Sequence, residues 1–271
     1  SVATGNILSN TDTSKQFDWK FDSGTGHEFD FLAEGETITL KYTVKADDHN
    51  GIAGDTSDPY NEGSTGTHEI TITITGTNDA PVITMEAGDS DGHGFTGGAA
   101  ISYDGTLTVT DIDVKDTVGT EKEDSLTIGG DYDESSLPVG LTVDDLKNML
   151  TIENGSIDGS SMDGKIDWHF NAGGDDKFDF LADGEELTLT YTVKSTDGSG
   201  AEATHDITIT ITGTNDAPVI SLGDGDSAEG GVRETDSGSL TASDTLTVTD
   251  ADISDTVSTS VALKSVEGSG S

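Results

Sequence analysis

The chain has 271 residues, enough for about two domains that each bury a core. Its 53 acidic residues face only 12 Lys and Arg, and a formal net charge of −41 excludes nucleic acid and anionic membrane surfaces as partners. With no cysteine, neither a disulfide framework nor a thiolate metal site is available. No apolar run reaches the roughly 18 residues of a membrane helix, so no direct membrane insertion is expected, and no basic-then-apolar leader opens the chain. The expectation is a soluble excerpt or a mature product.

In chain order, the first readable pieces are FDWKF (residues 17–21) and FDFLAEGETITLKYTVK (29–45). The second alternates apolar and polar residues from Gly35 to Ala46, the period-2 pattern of a half-buried strand. Such alternation argues for a folded chain, although low hydrophobicity with high charge favours disorder when no cations answer the charge. The polar run DDHNGIAGDTSDPYNEGSTG (47–66) then reads as a long surface loop. ITITIT (70–75) follows, with Ile70, Ile72 and Ile74 on a core face, and ends at Gly76. Thr-Asn-Asp-Ala-Pro (77–81) reads as a short, stiff linker, because Pro81 fixes its own φ and holds Ala80 extended.

LTVTDIDVKDTV (107–118) carries three acids in close spacing. An extended backbone at Asp111-Ile112-Asp113 would send two carboxylates to one side, with Asp116 following after a short turn. TVDDLKNML (142–150) predicts a helix of about two turns, with Thr142 and Asp145 as a capping box and Val143, Leu146 and Leu150 on one face. From there the chain repeats itself. IDWHF (166–170) and FDFLADGEELTLTYTVK (178–194) return at an offset of 149, and ITITITGTNDAPVI (70–83) recurs unchanged at 207–220, an offset of 137. LTVTDADISDTV (246–257) repeats LTVTDIDVKDTV at an offset of 139. The drop from 149 to 137 measures twelve extra residues after Ala46, in a loop that contains Tyr60.

A repeat fixes the architecture before any local reading. The predicted organisation is the C-terminal part of one unit (1–80), a complete unit (81–217) and the N-terminal part of a third (218–271). Thr-rich strands with Gly, Asn and Asp turns make each unit an all-β sandwich, in tandem and joined by proline-containing linkers. Trp19 and Trp168, at matching positions, are expected to fill cores. His68 and His205 open paired strands and are expected to face solvent or a neighbouring loop. No GxSxG, HExxH, P-loop or dinucleotide fingerprint is present, so no enzyme is expected. The glycine-rich pieces also lack the nonapeptide of a calcium β-helix.

YTVKSTDGSGAEATHDITITITGTNDAPVI (191–220), with LTVTDIDVKDTV from Leu107, resembles the VCBS repeats of very large bacterial surface adhesins and, more distantly, cadherin domains. The resemblance covers essentially the whole chain. It implies tandem Ig-like or cadherin-like sandwiches in secreted, cell-surface proteins, often exported by type I secretion with repeats-in-toxin (RTX) tails. It also implies calcium at the junctions between units. Carried over residue by residue, the first junction would use Asn78 and Asp79, then Asp111 and Asp113, with Asp197 from the later loop. The second would use Asn215, Asp216, Asp250 and Asp252, with Glu185 from the preceding unit. Asp48 is the counterpart of Asp197 in the first unit, and Glu36 that of Glu185. The linker is one asparagine shorter than the cadherin pattern, and Gly76-Thr77 and Gly213-Thr214 stand where an acid is expected.

The residues make their own case for calcium, which takes six to eight hard oxygen ligands of the kind that clustered carboxylates supply. Asp116 and Asp255 complete the duplicated acid trios. The expected function is a calcium-stabilised extender that projects the binding region of an adhesin in adhesion or biofilm formation, its partners being the neighbouring units. Two alternatives stay open: a module that recognises glycan or associates between cells, and self-association through the incomplete end units by strand addition.

Overall fold

The computed structural model describes residue 8 and residues 11–47, 65–97 and 101–268. The loop with Tyr60, and Asp48 with it, lies outside the described residues. In the first unit, β1 (Thr37–Asp47) and β2 (Thr65–Thr75) form an antiparallel pair with Tyr42 opposite Ile70. Next come β3 (Val82–Thr84), β4 (Gly92–Thr96), β5 (Ser102–Thr110), β6 (Thr117–Gly130), the helix α1 (Val143–Lys147), β7 (Leu150–Asn154), β8 (Ile157–Asp158), β9 (Asp163–Asn171), β10 (Glu186–Asp197) and β11 (Glu202–Thr212). β12 (Val219–Ser221) and β13 (Thr247–Thr249) form a separate antiparallel pair.

Strands β3 to β11 form a two-sheet sandwich. One sheet has the order β4-β11-β10-β6-β8 and the other β3-β5-β9-β7. Every pairing within them is antiparallel except β4 with β11. Alternation decides which side chains meet between the sheets. Leu187, Leu189, Tyr191 and Val193 of β10 and Ile207, Ile209 and Ile211 of β11 are fully buried, and they face Leu107, Val109, Ile166, Trp168 and Phe170 of the other sheet. Phe170 and Tyr191 meet across the core with centroids 6.3 Å apart. All members of this core lie between residues 83 and 211.

The strand repeats in ITITIT do not have equal surroundings. Ile207, Ile209 and Ile211 are covered by the facing sheet, whereas Ile70, Ile72 and Ile74 are only half-buried, because β1 and β2 form a sheet of two strands. Trp19 departs from expectation for the same reason. Trp168 is 1% exposed within the sandwich, but Trp19 is 49% exposed and fills no core. The predicted helix is real but shorter than two turns: the capping box of Thr142 and Asp145 is formed, and the helix stops at Lys147 so that Leu150 can begin β7. Leu146 is fully buried, and its carbonyl accepts from Tyr191 Oη at 2.7 Å.

Candidate metal centre

Strand parity carries two acids inward. In β10 the alternation that buries Leu187 to Val193 continues through Ser195 to Asp197, so the carboxylate arrives on the core side where the strand ends. In β5, Leu107 and Val109 face the core, and the next residue of that parity is Asp111, 2% exposed. Past Asp111 the chain bends rather than extending. Asp113 N donates to Asp111 Oδ1 at 3.0 Å and Asp116 N to Asp113 O at 3.0 Å, and these turns, not an extended backbone, bring the three carboxylates together.

The linker closes on this cluster. Asp79 N donates to Asp113 Oδ2 at 2.8 Å, and Asn78 Nδ2 donates to Asp197 Oδ2 at 2.9 Å. Ser199 N and Ala201 N bind the other oxygen of Asp197. One oxygen each of Asp111, Asp116 and Asp197 lies within 4.8 Å of the others. Buried Asn78 Oδ1, Asp111 Oδ2, Asp113 Oδ1 and Asp116 Oδ2 have no hydrogen-bond partner. Buried acceptors ordinarily have one, so four orphans at one junction call for a donor or a cation.

Burial is the largest cause holding Asp111, Asp113 and Asp116 above their ordinary value of 3.8, and neighbouring carboxylates push the same way. For Asp197, burial pushes upward too, but the bonds from Asn78, Ala201, Ser199 and Gly200 outweigh it and hold it below 3.8. Glu34 and Glu36 of the preceding unit add their charge at Asp116. Glu36 itself pairs with Lys115 across the junction, which holds it below its ordinary value.

The second junction is built alike. Asp216 N donates to Asp252 Oδ2 at 2.8 Å, Asp252 N to Asp250 Oδ1 at 3.3 Å, and Asp255 N to Asp252 O at 3.2 Å. Asn215 Nδ2 reaches Asp216 O as Asn78 Nδ2 reaches Asp79 O. Asp252 is 2% exposed with Oδ1 unpartnered, and its carboxyl is raised first by burial and then by Asp255, Asp216 and Asp250. Glu185 is held at this junction by its neighbours: its Oε2 accepts from Tyr132 Oη at 2.7 Å and Ala182 N at 3.0 Å. Ser254, at the place of Lys115, also bonds Glu185. His205 sits 3.4 Å from Asp91, and His68 is exposed.

Both joints share a backbone lock as well. Val114 N reaches Phe31 O at 3.4 Å, and Ile253 N reaches Phe180 O at 3.3 Å. Gly76 and Gly213 press against the preceding turn so closely that a Cβ would fall 2.1 Å from Leu32 O in one joint and 2.2 Å from Leu181 O in the other. Glycine at these places, where an acid was looked for, is thus a steric requirement. Glu34, Lys115, Tyr132 and Ser254 were not singled out in the sequence. Lys115 was visible there as the lone cation inside the acid trio, but its partner 79 residues away was not.

No protein-family model matches the chain, and no curated protein matches it. Solved structures resemble it distantly. Protocadherin gamma B2 extracellular cadherin domains 3–6 give a TM-score of 0.29 at 13% identity, covering 76% of this chain and 43% of that one. The major subunit of aggregative adherence fimbriae type I from Escherichia coli gives 0.29 at 10% identity, over 51% and 97%. The sialic acid binding region of a Streptococcus sanguinis adhesin gives 0.26 at 14%, over 77% and 60%. TM-scores this low carry nothing for function; the β-sandwich stands on its own strand pairing. Among the described residues no helix is long and apolar enough to cross a membrane.

Proposed function

We propose that the chain is a stretch of calcium-stiffened extender units of the VCBS kind, divided as 1–80, 81–217 and 218–271, that hold the binding region of an extracellular, type I secreted adhesin away from its cell. The observation that carries this reading is the set of four buried, unpartnered oxygens at the first junction, with the linker bonded to both arms of the acid cluster. Hard oxygen donors of this kind, with no imidazole or thiolate among them, fit Ca²⁺. Asn78, Asp111, Asp113, Asp116 and Asp197 would hold the ion at the first junction, and Asp250, Asp252 and Asp255, with the linker residues Asn215 and Asp216, at the second. When bound, calcium supplies positive charge that offsets carboxylate repulsion. The chain's own part is to fix the linker: Asp79 N and Asp216 N are anchored to the next unit, and Pro81 and Pro218 limit the swing.

Circular dichroism melts in millimolar calcium, in magnesium and in chelator test the reading. A large rise with calcium that magnesium does not reproduce is the expected result. Superimposable melts would reject the metal, and the linkers alone would have to account for any stiffness.

A further inference from the structure

The two junctions share their backbone contacts and differ in the side chain beside one of them. At the first, Val114 N meets Phe31 O, and the next residue, Lys115, pairs its Nζ with Glu36 Oε1. At the second, Ile253 N meets Phe180 O, and the next residue is Ser254. Glu36 and Glu185 have the same setting, since Gly76 N donates to Glu36 O and Gly213 N to Glu185 O, each at 2.8 Å. Each junction thus offers one glutamate at the same place, and what differs is the residue that meets it.

The two partners act on charge in different ways. Glu185 is met by neutral donors: Tyr132 Oη at 2.7 Å, Ala182 N at 3.0 Å and the Ser254 hydroxyl. Hydroxyls and amides orient a carboxylate without neutralising it. The Lys115 ammonium neutralises Glu36, has no lone pair to offer a metal, and repels a second cation. This pair stands beside the acid cluster, because Glu36 acts by its charge on Asp116.

We propose that Lys115 is a tethered cation. It takes at Glu36 the place of a free metal ion, closing the first junction without calcium and withdrawing one carboxylate from calcium. Ser254 leaves Glu185 charged and oriented, so the second junction keeps that carboxylate for the ion. The residue just before the last acid of each trio thereby sets how far its junction depends on calcium, an inference that rests on the calcium reading proposed above. The Lys115 side chain is 73% exposed, so replacing it leaves the packed strands alone and its effect is read at the junction.

Calcium titration calorimetry and small-angle scattering on the full chain test it, with Lys115→Ser, Lys115→Arg, Ser254→Lys and Lys41→Ser. The last breaks an exposed pair between Lys41 and Glu69 and controls for net charge. In chelator, Lys115→Ser is expected to broaden the distribution of interatomic distances beyond that of wild type, and Lys115→Arg to leave it unchanged. In calcium, Lys115→Ser is expected to lower the apparent Kd severalfold and Ser254→Lys to raise it severalfold, with Lys115→Arg and Lys41→Ser matching wild type. If wild type binds calcium and the titrations of Lys115→Ser and Ser254→Lys superimpose on it, the proposal is overturned. A gain from Lys41→Ser equal to that from Lys115→Ser overturns it as well. Absence of calcium uptake from wild type and every variant rejects the calcium reading itself, and this proposal with it.

Discussion

Asp111 shows how a single residue can change the sign of its contribution. Without a counter-ion its carboxylate is buried beside Asp116 and Asp197, and each such pair at the cluster's spacing repels by roughly 3 kcal/mol at an effective dielectric of 20, before solvent screening. Asp111→Asn keeps the acceptor for Asp113 N and removes the charge. In chelator this variant is expected to melt above wild type. In calcium the order reverses: an ion at 100 times its Kd adds about 2.7 kcal/mol, and the variant forfeits most of that gain. Paired melts of the two proteins check both signs, and a shift of the same sign in both buffers counts against the site.

Protons read the same residues. Asp111, Asp113, Asp116 and Asp252 have folded pKa values raised above 3.8, so they take up protons sooner in the folded chain than in the unfolded one. Stability in chelator is therefore expected to rise as pH falls from neutrality towards their raised pKa values. It falls again at lower pH, where Asp89 protonates. Burial pushes Asp89 upward, but bonds from Thr108, Lys165, Glu86 N and Thr106 hold it well below the usual carboxylate range, so its contribution is lost last. In calcium the first limb inverts, because protons and the ion compete for the same oxygens. A pH series of melting temperatures with and without chelator distinguishes the two slopes.

At the scale of the elements, the Gly105–Trp168 contact joins β5 to β9, and a Cβ at Gly105 would fall 2.2 Å from two carbons of the buried indole ring. Gly105→Ala is expected to destabilise the middle unit by about 1–3 kcal/mol through overpacking, and Trp168→Ala by about 3–5 kcal/mol through the cavity it leaves. Urea unfolding followed by far-UV dichroism measures both. Strands such as β10 and β11 were legible in the sequence because alternation is a local property, and so was the capping box that starts α1. The fate of Trp19 was not legible, since burial depends on a facing sheet and not on the FDWKF pattern. The acid trios were visible as a motif, but the sequence suggested an extended backbone where the chain turns. The pairing of Lys115 with Glu36 is a contact between distant segments, and no spacing rule announces it.

For the whole molecule, a net charge of −41 is too large for a few divalent ions to neutralise, so calcium must act where carboxylates are buried and not on the overall repulsion. Monovalent salt and calcium should then separate. At about 0.15 M ionic strength the Debye length is about 8 Å, enough to screen exposed acids from one another but not the buried oxygens of Asp111, Asp113 and Asp252. Added sodium chloride in chelator is expected to raise the melting temperature modestly and leave the joints loose, whereas calcium tightens both fold and joint. Small-angle scattering reads the joint directly: the distribution of interatomic distances should narrow with calcium and stay broad with sodium chloride. Gly76→Ala and Gly213→Ala supply the structural control, because their added Cβ meets the Leu32 or Leu181 carbonyl and pries the linker from the turn before it. Both variants should broaden the distribution even in calcium, and Gly76→Ala, whose clash at Leu32 lies outside the 83–211 core, should leave that core's melting temperature unchanged. A distribution that narrows equally with sodium chloride would show that general repulsion, and not the buried carboxylates, governs the alignment of the units.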